Sequence, residues 1–130
     1  MYILLVDDDS INNFVNKELL SQVYPDANIK AFENPMFALS FLLESTDVEP
    51  DLILLDLNMP FLTGWQFLDK LKENGLNYRV VILTSSINPM DKQKAEDYPL
   101  IDGFLIKPIE MEKLVEIREE IRKNNEQTKA

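Results

Sequence analysis

Carboxylates stand at two places where an apolar run of the chain ends. Tyr2-Ile3-Leu4-Leu5-Val6 leads into Asp7-Asp8-Asp9, and Leu52-Ile53-Leu54-Leu55 leads into Asp56. Two further runs end on other polar groups: Tyr78 to Leu83 on Thr84-Ser85-Ser86, and Gly103 to Ile106 on Lys107-Pro108. A carboxylate at the end of a buried strand is a metal ligand, a nucleophile or a turn cap. Asp7, Asp8 and Asp56 brought together would repel: two unit charges about 4 Å apart interact by roughly 4 kcal/mol at an effective dielectric of ~20. Such a set needs a cation. The chain has no histidine and no cysteine, and hard oxygen ligands alone select magnesium, calcium or manganese. Few protein carboxylates with open positions suit magnesium, with manganese as a substitute, because magnesium keeps waters and shares phosphate oxygens. Lys107 adds a second positive charge and Thr84 a hydroxyl. The set suits a phosphoryl group whose oxygens are neutralised by metal and lysine and whose presence is sensed by the hydroxyl. Asp56 is then the natural nucleophile, since carboxylates form aspartyl phosphates.

These groups meet only if the runs that carry them are parallel strands. Leu52 to Leu55 has no polar alternation, as in a strand covered on both faces. A weaker strand, Asn28 to Phe32, belongs near an edge. Between the strands, spacing predicts helices. The first is capped by Ser10, with Ile11, Phe14, Val15, Leu19 and Val23 facing the core and Asp9 a solvated loop charge. The second starts at Asn34-Pro35, uses Ala38, Phe41 and Leu42, and ends near Ser45, before a polar loop over 46–50. The third uses Trp65, Leu68 and Leu71 and closes at Asn74-Gly75. A very polar fourth runs from Asn88-Pro89 to about Tyr98. The last covers Glu110 to about Asn124, leaving a polar, frayed tail over 125–130. Five strands alternating with five helices predict an α/β fold, a doubly wound parallel sheet with right-handed crossovers. All the strands' carboxyl ends then share one edge, where ligands of such sheets bind.

Composition excludes several functions. The 130 residues suit one domain, and the net charge of -10 argues against direct contact with nucleic acid or an anionic membrane. Without histidine there is no Ser-His-Asp triad, no histidine-bound zinc and no phosphohistidine within the chain. The amino terminus lacks the basic segment of a signal peptide, and no apolar run nears the ~20 residues of a membrane span. A cytoplasmic protein is expected.

Four motifs, in order and at strand ends, carry a resemblance: Val6-Asp7-Asp8; Asp56-Leu57-Asn58-Met59-Pro60 through Gly64; Thr84-Ser85; and Phe104 through Lys107-Pro108. Over Tyr2 to about Lys123 the chain resembles the response-regulator receiver domain of two-component signalling. The resemblance implies a flavodoxin-like sheet of strand order 2-1-3-4-5 and Asp56 as phosphoacceptor. It also implies magnesium bound by Asp8 directly, by Asp7 mainly through water, by Asp56 and by the Asn58 backbone carbonyl. Lys107 would pair with the phosphoryl oxygens, ahead of a cis bond to Pro108. Thr84 would move toward the phosphoryl group and Phe104 would turn inward; Phe104 stands where the family often has tyrosine. Asn58 and Ser86 occupy positions that tune dephosphorylation, and Pro60 and Gly64 shape the loop. The implied partners are a sensor histidine kinase or histidine phosphotransfer protein as donor, and a downstream protein reading the surface of the fourth helix, fifth strand and fifth helix. The domain would catalyse only its own phosphoryl transfer and dephosphorylation. Residues 1–124 are expected to form a stand-alone receiver. Two other readings remain open: a haloacid-dehalogenase-like, magnesium-dependent phosphatase using Asp7 and Asp9, and a receiver-like scaffold that is never phosphorylated.

Overall fold

The computed structural model describes residues 1–44 and 48–129, the last five by backbone alone. In chain order it contains β1 (Tyr2–Val6), α1 (Ser10–Val23), β2 (Asn28–Phe32), α2 (Pro35–Glu44), β3 (Leu52–Asp56), α3 (Gly64–Glu73), β4 (Val80–Thr84), α4 (Pro89–Ala95), β5 (Ile101–Ile106) and α5 (Met111–Lys129). The strands form one parallel sheet of order β2-β1-β3-β4-β5. The fold class and strand order match the expectation.

The sheet holds because its inner strands are apolar on both faces. Leu4, Val6, Ile53, Leu55 and Ile82 point into one layer, packed by Ala38, Leu39 and Leu42 of α2 and Phe67, Leu68 and Leu71 of α3. Ile3, Leu5, Leu52, Leu54, Val81 and Leu83 point into the other, packed by Leu20 and Val23 of α1 and Leu114, Ile117 and Ile121 of α5. Each such side chain fully buried contributes about 1.5–3 kcal/mol. β1, β3 and β4 therefore form a stiff centre, and three of the four chemical motifs leave its carboxyl edge. Among the described residues no helix is long and apolar enough to cross a membrane.

α1 is turned away from its expected face. Ile11, Phe14 and Val15 are exposed, whereas Asn13 and Asn16 are buried with Leu20 and Val23. The cap explains part of this. Asp9, not Ser10, is the N-cap, its carboxylate accepting from the N–H groups of Ile11 (2.9 Å) and Asn12 (3.1 Å). The Asn13 amide explains the rest: it donates to the Asp7 carbonyl at 2.8 Å, a bond an outward Asn13 could not make.

The other differences are smaller. Phe67 is the largest buried side chain of α3, and Trp65 is only half-buried. α3 is fastened by a capping box, Thr63 with Gln66, that spacing alone did not flag. β5 starts two residues earlier than expected, at Ile101, through a bulge between Val80 and Val81. α4 ends at Ala95 and buries none of its residues. It is tethered instead by a polar and aromatic clasp. Tyr98 lies 5.3 Å from the Trp65 ring and donates its hydroxyl to Asp69 at 2.7 Å, while Lys94 sits over Trp65 at 5.1 Å. α5 continues past Asn124 to Lys129, since no glycine or proline stops it. The expected loop at 46–50 lies partly outside the described residues, as do the side chains of the expected frayed tail.

Candidate functional site

The carboxyl edge of β1, β3 and β5 brings together most of what the sequence singled out. Asp7 follows β1 and is fully buried; Asp56 ends β3 and is 2% exposed. Lys107 follows β5 and reaches between them, its Nζ donating to Asp7 Oδ2 at 3.0 Å and Asp56 Oδ2 at 3.1 Å. Asp8 lies at the exposed mouth. One carboxylate oxygen from each of Asp7, Asp8 and Asp56 falls within 4.8 Å of the others.

Backbone around the site holds each carboxylate at a fixed angle. Asp7 Oδ1 accepts from the Asp9 N–H at 3.0 Å, and the Asp7 N–H donates to the Phe32 carbonyl at 3.1 Å. Asp56 Oδ1 accepts from the Asn58 N–H at 3.0 Å. The β3–α3 turn folds back tightly. Gly64 donates its N–H to the Leu57 carbonyl at 2.9 Å, and a Cβ there would lie 2.7 Å from the Asp56 carbonyl oxygen and 2.9 Å from Leu57 Cα. Only glycine fits. Pro60 opens a sharper bend: the Leu62 N–H donates to its carbonyl at 2.8 Å, with Phe61 between them at φ 69°. The Lys107–Pro108 bond is cis.

Burial pushes the Asp56 carboxyl up from 3.8 to about 6. The Asn58 N–H and Lys107 pull it down and the Asp7 charge pushes it up further, but desolvation dominates. Burial alone would lower the Lys107 pKa; the hydrogen bonds and charges of Asp7 and Asp56 outweigh that and raise it. One lysine thus offsets two buried carboxylates and leaves the third at the mouth. That donor set, all oxygen and partly open to solvent, fits a hard divalent cation such as magnesium. Asp7, Asp8 and Asp56 would hold it.

Other expected residues stand further off. The Thr84 hydroxyl donates to the Ser86 carbonyl at 2.8 Å and accepts from the Ser86 N–H at 3.3 Å, so it is engaged with its own turn. Phe104 is half-buried against the layer that holds α2 and α3. Asn58 and Ser86 are exposed beside the mouth. Asp9 is not among the grouped carboxylates. Its Oδ1 accepts from the Ile11 and Asn12 N–H groups at the α1 N-terminus. Asn13 was not foreseen: asparagine inside a helix gives no sequence signal that its amide will hold a strand end.

The family model for the response regulator receiver domain matches residues 3–119. The chain is 39% identical over 113 residues to the nitrate/nitrite response regulator protein NarL of Escherichia coli (strain K12), covering 87% of this chain and 50% of that protein. It is 26% identical over 120 residues to the probable C4-dicarboxylate response regulator DctR of Priestia megaterium, covering 92% of this chain and 51% of that protein. The chain thus spans about half the length of these curated relatives. Among solved structures, a two-component response regulator from Cytophaga hutchinsonii superposes with a TM-score of 0.79 at 27% identity, covering 94% of this chain and 96% of that one.

Proposed function

Because the chain belongs to the response-regulator receiver family of two-component signalling, we propose that Asp56 accepts a phosphoryl group from a phosphohistidine on a partner kinase or phosphotransfer protein. The observation that carries this reading is the Lys107 ammonium held at 3.0 and 3.1 Å between two buried carboxylates, with a third beside them. A carboxylate oxygen of Asp56 attacks phosphorus, an O–P bond forms, and the donor's N–P bond breaks with the electron pair leaving on the imidazole nitrogen. The Asn58 N–H fixes the nucleophile's angle. Lys107 shifts its contact from Asp56 to the incoming oxygens while keeping Asp7. With its pKa at about 6, Asp56 is ionised at neutral pH and desolvated enough to attack. Magnesium, held by Asp7, Asp8, Asp56 and the Asn58 carbonyl, would neutralise charge on the phosphoryl oxygens.

On phosphorylation the Thr84 hydroxyl leaves Ser86 for the phosphoryl oxygens, Phe104 turns inward, and the surface formed by α4, β5 and α5 changes for a downstream protein to read. Ile11 and Phe14, exposed on the first turns of α1 beside the mouth, give the donor an apolar face to meet. These 130 residues contain no histidine, so the donor histidine lies outside them. The net charge of -10 fits protein partners better than nucleic acid.

The test is labelling by acetyl phosphate with magnesium, read as the intact-mass gain of one phosphoryl group. The gain should vanish in Asp56→Asn and without magnesium. A chain that is still labelled as Asp56→Asn, or labelled equally in excess EDTA, would refute the assignment.

A further inference from the structure

Among the described residues, Phe61 is the one large side chain whose conformation and exposure both work against the fold. Its φ of 69° lies in the left-handed region, at the centre of a three-residue turn closed by the 2.8 Å bond from the Leu62 N–H to the Pro60 carbonyl. Turns of this hand are rare and strained, and a residue with a Cβ sits in them at a cost that glycine avoids. The side chain recovers little inside the domain, for it is 93% exposed, the most exposed of the large hydrophobic residues among those described. Glycine or asparagine would suit the backbone better and solvent equally well. The ring is thus held at the surface, where a partner can meet it.

Its position says which partner that is. Phe61 lies five residues after Asp56, on the loop that Gly64 draws back against the Asp56 carbonyl. The start of α1, which follows the exposed Asp8 and Asp9, presents the exposed Ile11 and Phe14. A protein that delivers a phosphoryl group to Asp56 meets the loop that carries Phe61. We propose that Phe61 is the docking anchor for the protein that delivers the phosphoryl group, inserting into an apolar pocket beside that protein's phosphohistidine. The proposal rests on the assignment of Asp56 as phosphoacceptor. It adds that a protein donor and a small donor reach Asp56 by different requirements: one needs Phe61, the other does not.

The experiment compares Phe61→Gly, Phe61→Asn and Phe61→Leu with the unaltered chain, using two donors. One is acetyl phosphate, which has no docking surface. The other is the radiolabelled, autophosphorylated soluble core of a histidine kinase that labels the unaltered chain. Phe61→Gly and Phe61→Asn should melt no lower than the unaltered chain and take phosphoryl from acetyl phosphate at its rate. Transfer from the kinase core should fall by at least about tenfold, as for loss of a central aromatic anchor, with most of the rate restored in Phe61→Leu. Unchanged transfer from the kinase core overturns the proposal. So does an equal fall with both donors, which would make Phe61 a shaper of the loop rather than an anchor. Labelling that persists in Asp56→Asn with either donor would instead remove the Asp56 assignment on which the proposal rests.

Discussion

Asp56→Asn should stabilise the metal-free fold at pH 7.5, although it removes a hydrogen-bonded, charged partner of Lys107. Burial and the Asp7 charge lift the Asp56 carboxyl from 3.8 to about 6. An acid whose folded pKa exceeds its unfolded pKa costs the folded state free energy at any pH above the folded value. The cost declines as pH falls through about 6 and is gone below about 4, where both states are protonated. At 1.36 kcal/mol per pKa unit the penalty is about 3 kcal/mol at neutral pH. Asparagine is isosteric and its carbonyl oxygen can still accept from the Asn58 N–H, while Lys107 keeps Asp7. Allowing for the lost ion pair, a gain of about 1–3 kcal/mol is expected. The assay is urea unfolding in EDTA from pH 7.5 to pH 5. The unaltered chain should gain about 1 kcal/mol as pH is lowered across that range, seen as a rise in urea midpoint of roughly 0.5–1 M. Asp56→Asn should start higher and lack that rise. If both chains show the same pH profile, or Asp56→Asn is the less stable at pH 7.5, the account of Asp56 as a desolvated, incompletely compensated charge is wrong.

Three further outcomes follow from the same geometry. Magnesium should stabilise the chain, by about 2.7 kcal/mol at 100-fold over its dissociation constant; calorimetric melting should show that gain lost in Asp8→Asn. Lys107→Met leaves two buried carboxylates without their cation and should destabilise the metal-free fold at pH 7.5 by about 2–4 kcal/mol. The same denaturant series should show a smaller loss at pH 5.5, because Asp56 can then take up a proton. Gly64→Ala places a methyl 2.7 Å from the Asp56 carbonyl oxygen; it should lower stability by about 1–3 kcal/mol and slow labelling by acetyl phosphate, because relief requires the acceptor's own backbone to move.

The sheet was legible because its strands are unambiguous. Apolar runs without alternation, each ended by a chemical group, admit little besides parallel strands covered on both faces. The convergence of Asp7, Asp8, Asp56 and Lys107 follows from that topology once the carboxyl ends share an edge. What spacing misjudged was the rotation of α1. Ile11, Phe14 and Val15 look like a core face, and nothing in a list of residues reveals that the Asn13 amide must turn inward to hold the Asp7 carbonyl. Asp9 was undervalued for a similar reason, since Ser10 beside it is an equally good cap on composition alone. Phe61 carries no sequence signal at all. Its left-handed φ is a property of the turn between Pro60 and Gly64, visible only when the backbone is known. The Trp65–Tyr98–Lys94 clasp likewise spans elements that sequence proximity does not connect.

α4 rests on that clasp rather than on the core. None of its side chains is buried, so displacing it breaks a ring contact, a cation–ring contact and one hydrogen bond at Tyr98, each worth on the order of 1 kcal/mol. Two-state reversal from one part in a hundred to ninety-nine needs only about 5.5 kcal/mol. The helix is hinged like a shutter on a wall that does not carry it. Amide exchange in α4 should accordingly run through openings far shallower than global unfolding, and substitutions in the clasp can reset how far the shutter stands open while the wall keeps its melting point.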